Sequence, residues 1–330
     1  MTAAPDGAGP AADEAELDAD EAELVAGMAR LAARGRQPDP PTVLSRRADR
    51  LVLRCADVVL KAHARDADPQ TLAARLRVAT RPDLAEVLLA PRDAGAATVG
   101  GRLVSVWPVG HALGPADADA APWERAGALL ARLHTAPVGL GALGSLPPAN
   151  VLRRLADRVT RLRGRAGHPL VDQVLAAAGT LGEPSAAAGP GRPTTLVHGD
   201  FHFGQLVALP GAGWRIIDVD DLGLGDPAWD LARPAAWFAA GLLAGDRWAG
   251  FLDAYTAHGG PAVPADRADP WPALDLPARA LTVEYAATAL AACLESGEPL
   301  DEASDALVVA CGRIADADVA PASSSRLVER

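Results

Sequence analysis

The chain has 330 residues, 49% of them apolar and 22% charged, and a formal net charge of -11; this is ordinary for a globular protein with a proper core. No apolar run is long enough to span a membrane, and no basic segment followed by an apolar one opens the sequence; no basic stripe carries interleaved aromatics, so neither membrane nor nucleic acid is an expected partner. Three scattered cysteines (Cys55, Cys293, Cys311) lack the paired spacing of zinc or redox sites and point to reduced thiols in a cytoplasm.

Residues 1–40 hold nine acids against Arg30, Arg34 and Arg36, more than half of the net charge. Residues 1–12 read as disordered. Leu17, Leu24, Met28 and Leu31 recur at helical spacing and predict a fraying helix over 13–35, stopped by Pro38, Pro40 and Pro41. Two short strands are expected between 42 and 62, the run Leu51-Val52-Leu53 and the β-branched run Asp57–Lys61. Asp68 and Pro69 are the cap and first position of a helix across 70–79. Residues 84–91 and 102–109 read as further strands, separated by Gly95 and the Gly100-Gly101 turn.

A Pro- and Asp-rich connector follows at 112–122, and the remainder reads mainly helical: one amphipathic helix through Ala126–His134, a pair across 149–181, then helices within 227–256 and 277–315. A loop at 183–193 leads into Thr195-Leu196-Val197, a short buried strand; Trp214–Ile217 is another, and the tail from 319 reads as disordered. The domain reading is an acidic extension (1–36), a strand-rich lobe (37–110), a mainly helical lobe (111–318) and a tail (319–330). The fold class is α+β with two lobes.

Chemistry concentrates between residues 198 and 221, where His198-Gly199-Asp200-Phe201-His202-Phe203-Gly204-Gln205 is followed by Ile217-Asp218-Val219-Asp220-Asp221. Two turns carrying carboxylate and amide oxygens beside buried strands suit a divalent cation, a phosphate chain and an acceptor hydroxyl. A second signal is Lys61, the only lysine among 31 basic residues. In a chain this rich in arginine, a surviving lysine points to a need for a compact ammonium. A metal-dependent hydrolase using His198, Asp200 and His202 as ligands is a rival reading, and a nucleotide-binding module without turnover is another.

With Gly225-Asp226-Pro227 and Asp230-Leu231-Ala232 added, the set resembles the aminoglycoside-phosphotransferase and choline-kinase branch of the protein-kinase-like fold, over about residues 40–310. The resemblance implies an Mg-dependent, ATP-dependent phosphotransferase, with a small antiparallel sheet lobe carrying one helix and a larger helical lobe. It implies Asp200 as catalytic base and Lys61 on the nucleotide phosphates. Gln205 and Asp218 would be the metal ligands, with Asp220 reaching a second metal or the substrate. His198 would shape the loop, Asp226 and Asp230 would cap or brace it, and Trp107-Pro108 would link the lobes. His202 would contact substrate or pack the loop; Trp271, Glu284 and Tyr285 lie where acceptors of the family bind.

Gln205 stands where the family has Asn, and the loop form is similar to that of actinobacterial maltokinases and glucosamine kinases. The expected acceptor is therefore a small molecule, a sugar, amino sugar or aminoglycoside. Two parts of the pattern are missing. The 70–79 helix has no acid to pair with Lys61, Glu86 being the nearest candidate, and Ser45–Asp49 replaces a glycine-rich phosphate loop, placing Arg46 or Arg47 near the phosphates.

Overall fold

The computed structural model describes residues 19–37, 39–47, 49–114, 121–137, 146–149, 151–182, 192–265 and 269–319. The expectations for residues 1–12, most of the 183–193 loop and the tail after 319 lie outside them.

Helix α1 (Ala19–Ala33) opens the described chain. Its apolar stripe is not a fraying edge: Leu24, Met28 and Ala29 are buried with Leu51, Leu53, Leu60 and Val104 of the first sheet. Burial of that stripe, at about 25 cal/mol per Å² of apolar surface, stabilises a helix whose own propensity would not hold it. Strands β1 (Thr42–Arg47), β2 (Arg50–Cys55), β3 (Val58–Ala62), β4 (Ala97–Val99) and β5 (Arg102–Pro108) form an antiparallel sheet in the order β1-β2-β3-β5-β4. Three strands occupy 42–62, not two. The extra one, β1, is an edge strand of alternating half-buried residues and a bulge between Val43 and Ser45, too polar to stand out in sequence.

Strand alternation sorts the two faces of this sheet. Leu53 pairs with Leu60 and Leu51 with Ala62 on the α1 side, which leaves Val52, Lys61 and Ser105, also in register, on the opposite side. Helix α2 (Pro69–Ala79) starts as expected, with the Asp68 carboxylate accepting from Thr71 N at 2.7 Å. Residues 84–91 are not a strand. They form a tight turn whose only ladder contact is a bridge from Leu88 to Ile216, and Leu84, Val87, Leu88 and Leu89 are all buried. The apolar run is a plug joining the two lobes, and it mimics a strand because it is covered on every side.

The second lobe holds α3 (Trp123–His134), α4 (Val151–Arg163), α5 (Pro169–Gly179), α6 (Ala228–Ala239), α7 (Gly245–Ala257), α8 (Trp271–Ser296) and α9 (Glu302–Val319). Two small antiparallel sheets lie among them: β7 (Thr195–Val197) with β10 (Gly223–Gly225), and β6 (His111–Ala112), β8 (Leu206–Leu209) and β9 (Gly213–Ile216) in the order β6-β8-β9. Helices α3 and α7 cross where Gly127 meets the Phe251 carbonyl, and a Cβ at residue 127 would lie 2.2 Å from that oxygen. Among the described residues no helix is long and apolar enough to cross a membrane.

Candidate active site

The turn after β7 is held from behind. Asp230, buried on α6, accepts from His198 N at 2.6 Å and Gly199 N at 2.8 Å, and its Oδ2 also meets His134 Nε2 at 3.0 Å. Behind it, Ala262 N donates to the Tyr255 hydroxyl at 3.1 Å, which lies 2.8 Å from His134 Nδ1. Burial raises the Asp230 pKa, but hydrogen bonding and charge from His134 and His198 outweigh it and hold the carboxyl below its ordinary value. Asp230 is thus a brace for the loop, whereas Asp226 caps α6 through Ala228 N at 2.9 Å and takes Arg192 in a two-pronged pair at 2.7 and 2.7 Å.

His198 shapes the loop from within. Its Nε2 lies 2.8 Å from the Ile217 carbonyl, which can only accept, so Nε2 carries the hydrogen. Nδ1 is then left to accept from Asp200 N at 3.3 Å. Both ring nitrogens are spent on backbone, which removes His198 from the ligand set of the hydrolase reading. Gly199 has φ 83°, and a Cβ there would lie 2.5 Å from the Asp221 carbonyl oxygen, so the motif needs glycine at this position.

The second turn follows β9. Asp218 sits in the left-handed region at φ 63°, a conformation that Asp tolerates through local hydrogen bonding. Lys61 Nζ reaches Asp218 Oδ1 at 2.6 Å and Asp220 Oδ2 at 2.8 Å. The other Asp220 oxygen meets His63 Nδ1 at 3.1 Å, and His63 Nε2 lies 2.8 Å from Ser105 Oγ, which also accepts from Trp107 Nε1 at 2.8 Å. Burial pushes the Lys61 pKa down, but the two carboxylates outweigh it and leave the ammonium above its ordinary value. Burial likewise works against the two acids, and Lys61 more than compensates, so both are held below the usual carboxylate range, Asp220 well below.

The acid that orients Lys61 therefore does not come from α2. On that helix Arg75 donates to the Leu222 carbonyl at 2.9 Å, and Glu86, the acid nearest in sequence, pairs with Arg132 at 2.9 Å instead. Gln205 is buried beside the second turn, its Nε2 3.5 Å from Asp218 Oδ2 and 3.1 Å from His202 Nε2. Burial lowers the His202 pKa, which keeps the ring neutral. Arg47 and Arg50 are cross-strand partners in the turn that replaces a glycine-rich loop, and they line a cavity of about 630 Å³ at that end of the sheet. Arg46 pairs with Glu21 of α1.

One group was not visible in the sequence. Arg154, on α4, sends Nη1 to the Gly199 carbonyl at 2.9 Å and to Asp221 Oδ2 at 3.0 Å, and Nε to Glu284 Oε1 at 3.2 Å. Its Nη2 lies 3.2 Å from Asp200 Oδ1, a charge contact without hydrogen-bonding alignment. Burial opposes the charge on Arg154, yet Asp200, Glu284 and Asp221 together raise its pKa. Burial raises both Glu284 and Asp221. Beside them the Arg233 guanidinium lies 4.4 Å from the Tyr285 ring and 4.9 Å from that of Trp237. Trp271 stacks with Phe238 at 6.2 Å within an aromatic cluster.

Residues 42–271 match the phosphotransferase enzyme family. No curated protein matches the chain. A choline/ethanolamine kinase family protein from Mesorhizobium loti has a similar solved structure, at a TM-score of 0.62 and 21% identity over 89% of this chain and 94% of that one. The GDP complex of aminoglycoside 2'-phosphotransferase-IIIa gives 0.56 and 15% over 90% and 99%, and spectinomycin phosphotransferase bound to ADP and spectinomycin gives 0.51 and 15% over 84% and 92%. At these identities the structural likeness speaks for the fold: a five-stranded antiparallel sheet lobe and a mainly helical lobe, as in the kinase-like phosphotransferases. With most of its length inside the family match, the chain belongs to the phosphotransferase enzyme family and is an ATP-dependent small-molecule kinase.

Proposed function

We propose that the protein transfers the γ-phosphoryl group of ATP to a hydroxyl of a sugar, amino sugar or aminoglycoside, with Asp200 as the base. The observation that carries this reading is the convergence of Asp218 and Gln205 with Lys61 from the other lobe, next to the loop that presents Asp200. Lys61 is the point charge for the α- and β-phosphates. One Asp220 oxygen is engaged by Lys61 and the other by His63, so its first role is to aim the lysine, and each oxygen keeps a lone pair for a second metal.

Mg²⁺ fits the donors present. It favours oxygen and takes one or two protein ligands together with substrate phosphates and water. Asp218 Oδ2 and the Gln205 amide supply such a pair, since rotating the amide exchanges its N–H for its oxygen. The ion would neutralise charge on the phosphates, and no three-acid cluster is required. Asp200 orients the acceptor hydroxyl and takes its proton, so catalysis is mostly positioning and charge stabilisation. The loop His198–Gln205, similar to that of maltokinases and glucosamine kinases, favours a sugar hydroxyl.

The test is coupled ADP and GDP release with Mg²⁺ over hexoses, amino sugars, disaccharides, ethanolamine, choline and aminoglycosides, beside Asp200→Asn. Turnover that the variant loses supports the assignment. Nucleotide binding with no turnover on any acceptor would favour a module without catalysis, and absence of nucleotide binding would sink the kinase reading altogether.

A further inference from the structure

Helix α2, Pro69–Ala79, contains no acid that could hold Lys61 from within its own lobe. What the sheet lobe places beside the lysine is His63. Alternation puts Lys61, His63, Ser105 and Trp107 on one face of the sheet, with Lys61 directly opposite Ser105 across β3 and β5. His63 is buried and its backbone is pinned at both ends. Its N–H donates to the Leu103 carbonyl at 2.9 Å, and its carbonyl accepts from Arg102 Nε at 3.0 Å and Nη2 at 2.6 Å.

The hydrogens of the ring follow from its neighbours. Trp107 Nε1 can only donate, so Ser105 Oγ accepts from it at 2.8 Å and has its own hydrogen to give. Ser105 is fully buried, and its other partner among the described residues is His63 Nε2 at 2.8 Å. Nε2 therefore accepts, and Nδ1 carries the ring hydrogen. That hydrogen lies on the side of Asp220, whose Oδ1 is 3.1 Å from Nδ1, while Lys61 meets Oδ2 of the same carboxylate at 2.8 Å. Trp107, Ser105 and His63 form one line of donors that ends on the acid gripping Lys61. A line in which every buried donor has an acceptor holds its members in one orientation.

Resting on the kinase function proposed above, we infer that His63 is a positioning residue for the nucleotide phosphates: through Asp220 it fixes the direction of Lys61, in place of an acid on α2. Asp218 is the carboxylate committed to a metal, so Asp220 is the one left to hold Lys61 toward the phosphates. Lys61 and His63 belong to the sheet lobe, and Asp220 belongs to the turn after β9. The lysine is therefore aimed only while the two lobes are in contact. His63 gives no proton to the transfer; its part is geometry alone.

Calorimetric titration with ADP and with adenosine, Mg²⁺ present, needs no knowledge of the acceptor. It is run on the wild type, His63→Leu, His63→Asn, Ser105→Ala, Asp220→Asn and the double variant His63→Leu with Asp220→Asn. His63→Leu should weaken ADP about ten- to a hundredfold, as for one lost hydrogen bond to a charged group. Adenosine affinity should stay unchanged, because adenosine has no phosphate for Lys61 to meet. His63→Asn keeps an N–H near Asp220 and should recover most of the loss. Ser105→Ala leaves the ring free to turn and should cost about three- to tenfold; as the smallest change, it decides the question if His63→Leu does not fold. On the Asp220→Asn background, His63→Leu should cost about twofold or less, since the contact it acts through is already gone. Unchanged ADP affinity in His63→Leu or Ser105→Ala, an equal loss for adenosine, or losses that multiply in the double variant overturns the positioning role and leaves the kinase reading intact. Failure of the wild type to bind ADP overturns both.

Discussion

Asp230 is the place to test how the catalytic turn is held. Replacing it with alanine strands three buried donors: His198 N at 2.6 Å, Gly199 N at 2.8 Å and His134 Nε2 at 3.0 Å. A stranded buried donor costs about 1–3 kcal/mol, and partial rehydration of the loop brings the sum to roughly 3–5 kcal/mol, a large share of the 5–15 kcal/mol typical of a native protein. Urea unfolding at pH 7 measures this directly as a lower midpoint at constant slope. The sign with pH follows from the depressed carboxyl, which burial opposes and His134 and His198 impose. Its contribution is complete above the ordinary value of 3.8 and is lost as pH falls through the lowered one. The gap in stability between wild type and Asp230→Asn should therefore narrow only below about pH 4. A loss under about 1 kcal/mol for Asp230→Ala at pH 7 would mean that the turn is held by something else.

Three further outcomes are expected. Met28→Ala should cost about 2–5 kcal/mol in thermal or chemical unfolding, as for a fully buried core position; a change near zero would show that α1 is not docked on the sheet. Gly199→Ala should lower kcat about 10²-fold, because the added methyl meets the Asp221 carbonyl at a left-handed backbone position; steady-state kinetics with unchanged kcat refutes the close approach. Lys61→Met should weaken ADP binding roughly ten- to a hundredfold, read by calorimetric titration, in line with one lost charge-assisted contact to phosphate. An unaltered affinity would remove Lys61 from the phosphate site.

What the sequence disclosed and what it hid divide along physical lines. The strands around the motif, β7 and β9, were legible because short apolar runs flanked by glycine turns have few other uses, and the Asp68-Pro69 helix start was legible from its cap chemistry. Lys61 stood out because the rest of the chain had abandoned lysine. The 84–91 segment misled because burial on all sides produces the same apolar run whether the backbone is extended or coiled. The partner of Lys61 was sought on α2 because the family pattern the motif resembles has an acid on that helix, yet the carboxylate that meets it is Asp218, 157 residues away. Arg154 gave no signal at all: on an amphipathic helix with several arginines, nothing local distinguishes the one that turns inward to three acids of the fold.

Lys61 has a consequence for handling the protein. With arginine at each of the other 30 Lys or Arg positions, the molecule offers acylating and aldehyde reagents a single ε-amine, and it lies where β3 of the first lobe meets the Asp218 turn of the second. A protonated amine clasped by two carboxylates is a poor nucleophile, and it becomes reactive only when that clasp opens. The yield of singly labelled side chain in a mass spectrum thus reports how often Lys61 parts from Asp218 and Asp220. It needs no engineered probe and has no background from other lysines.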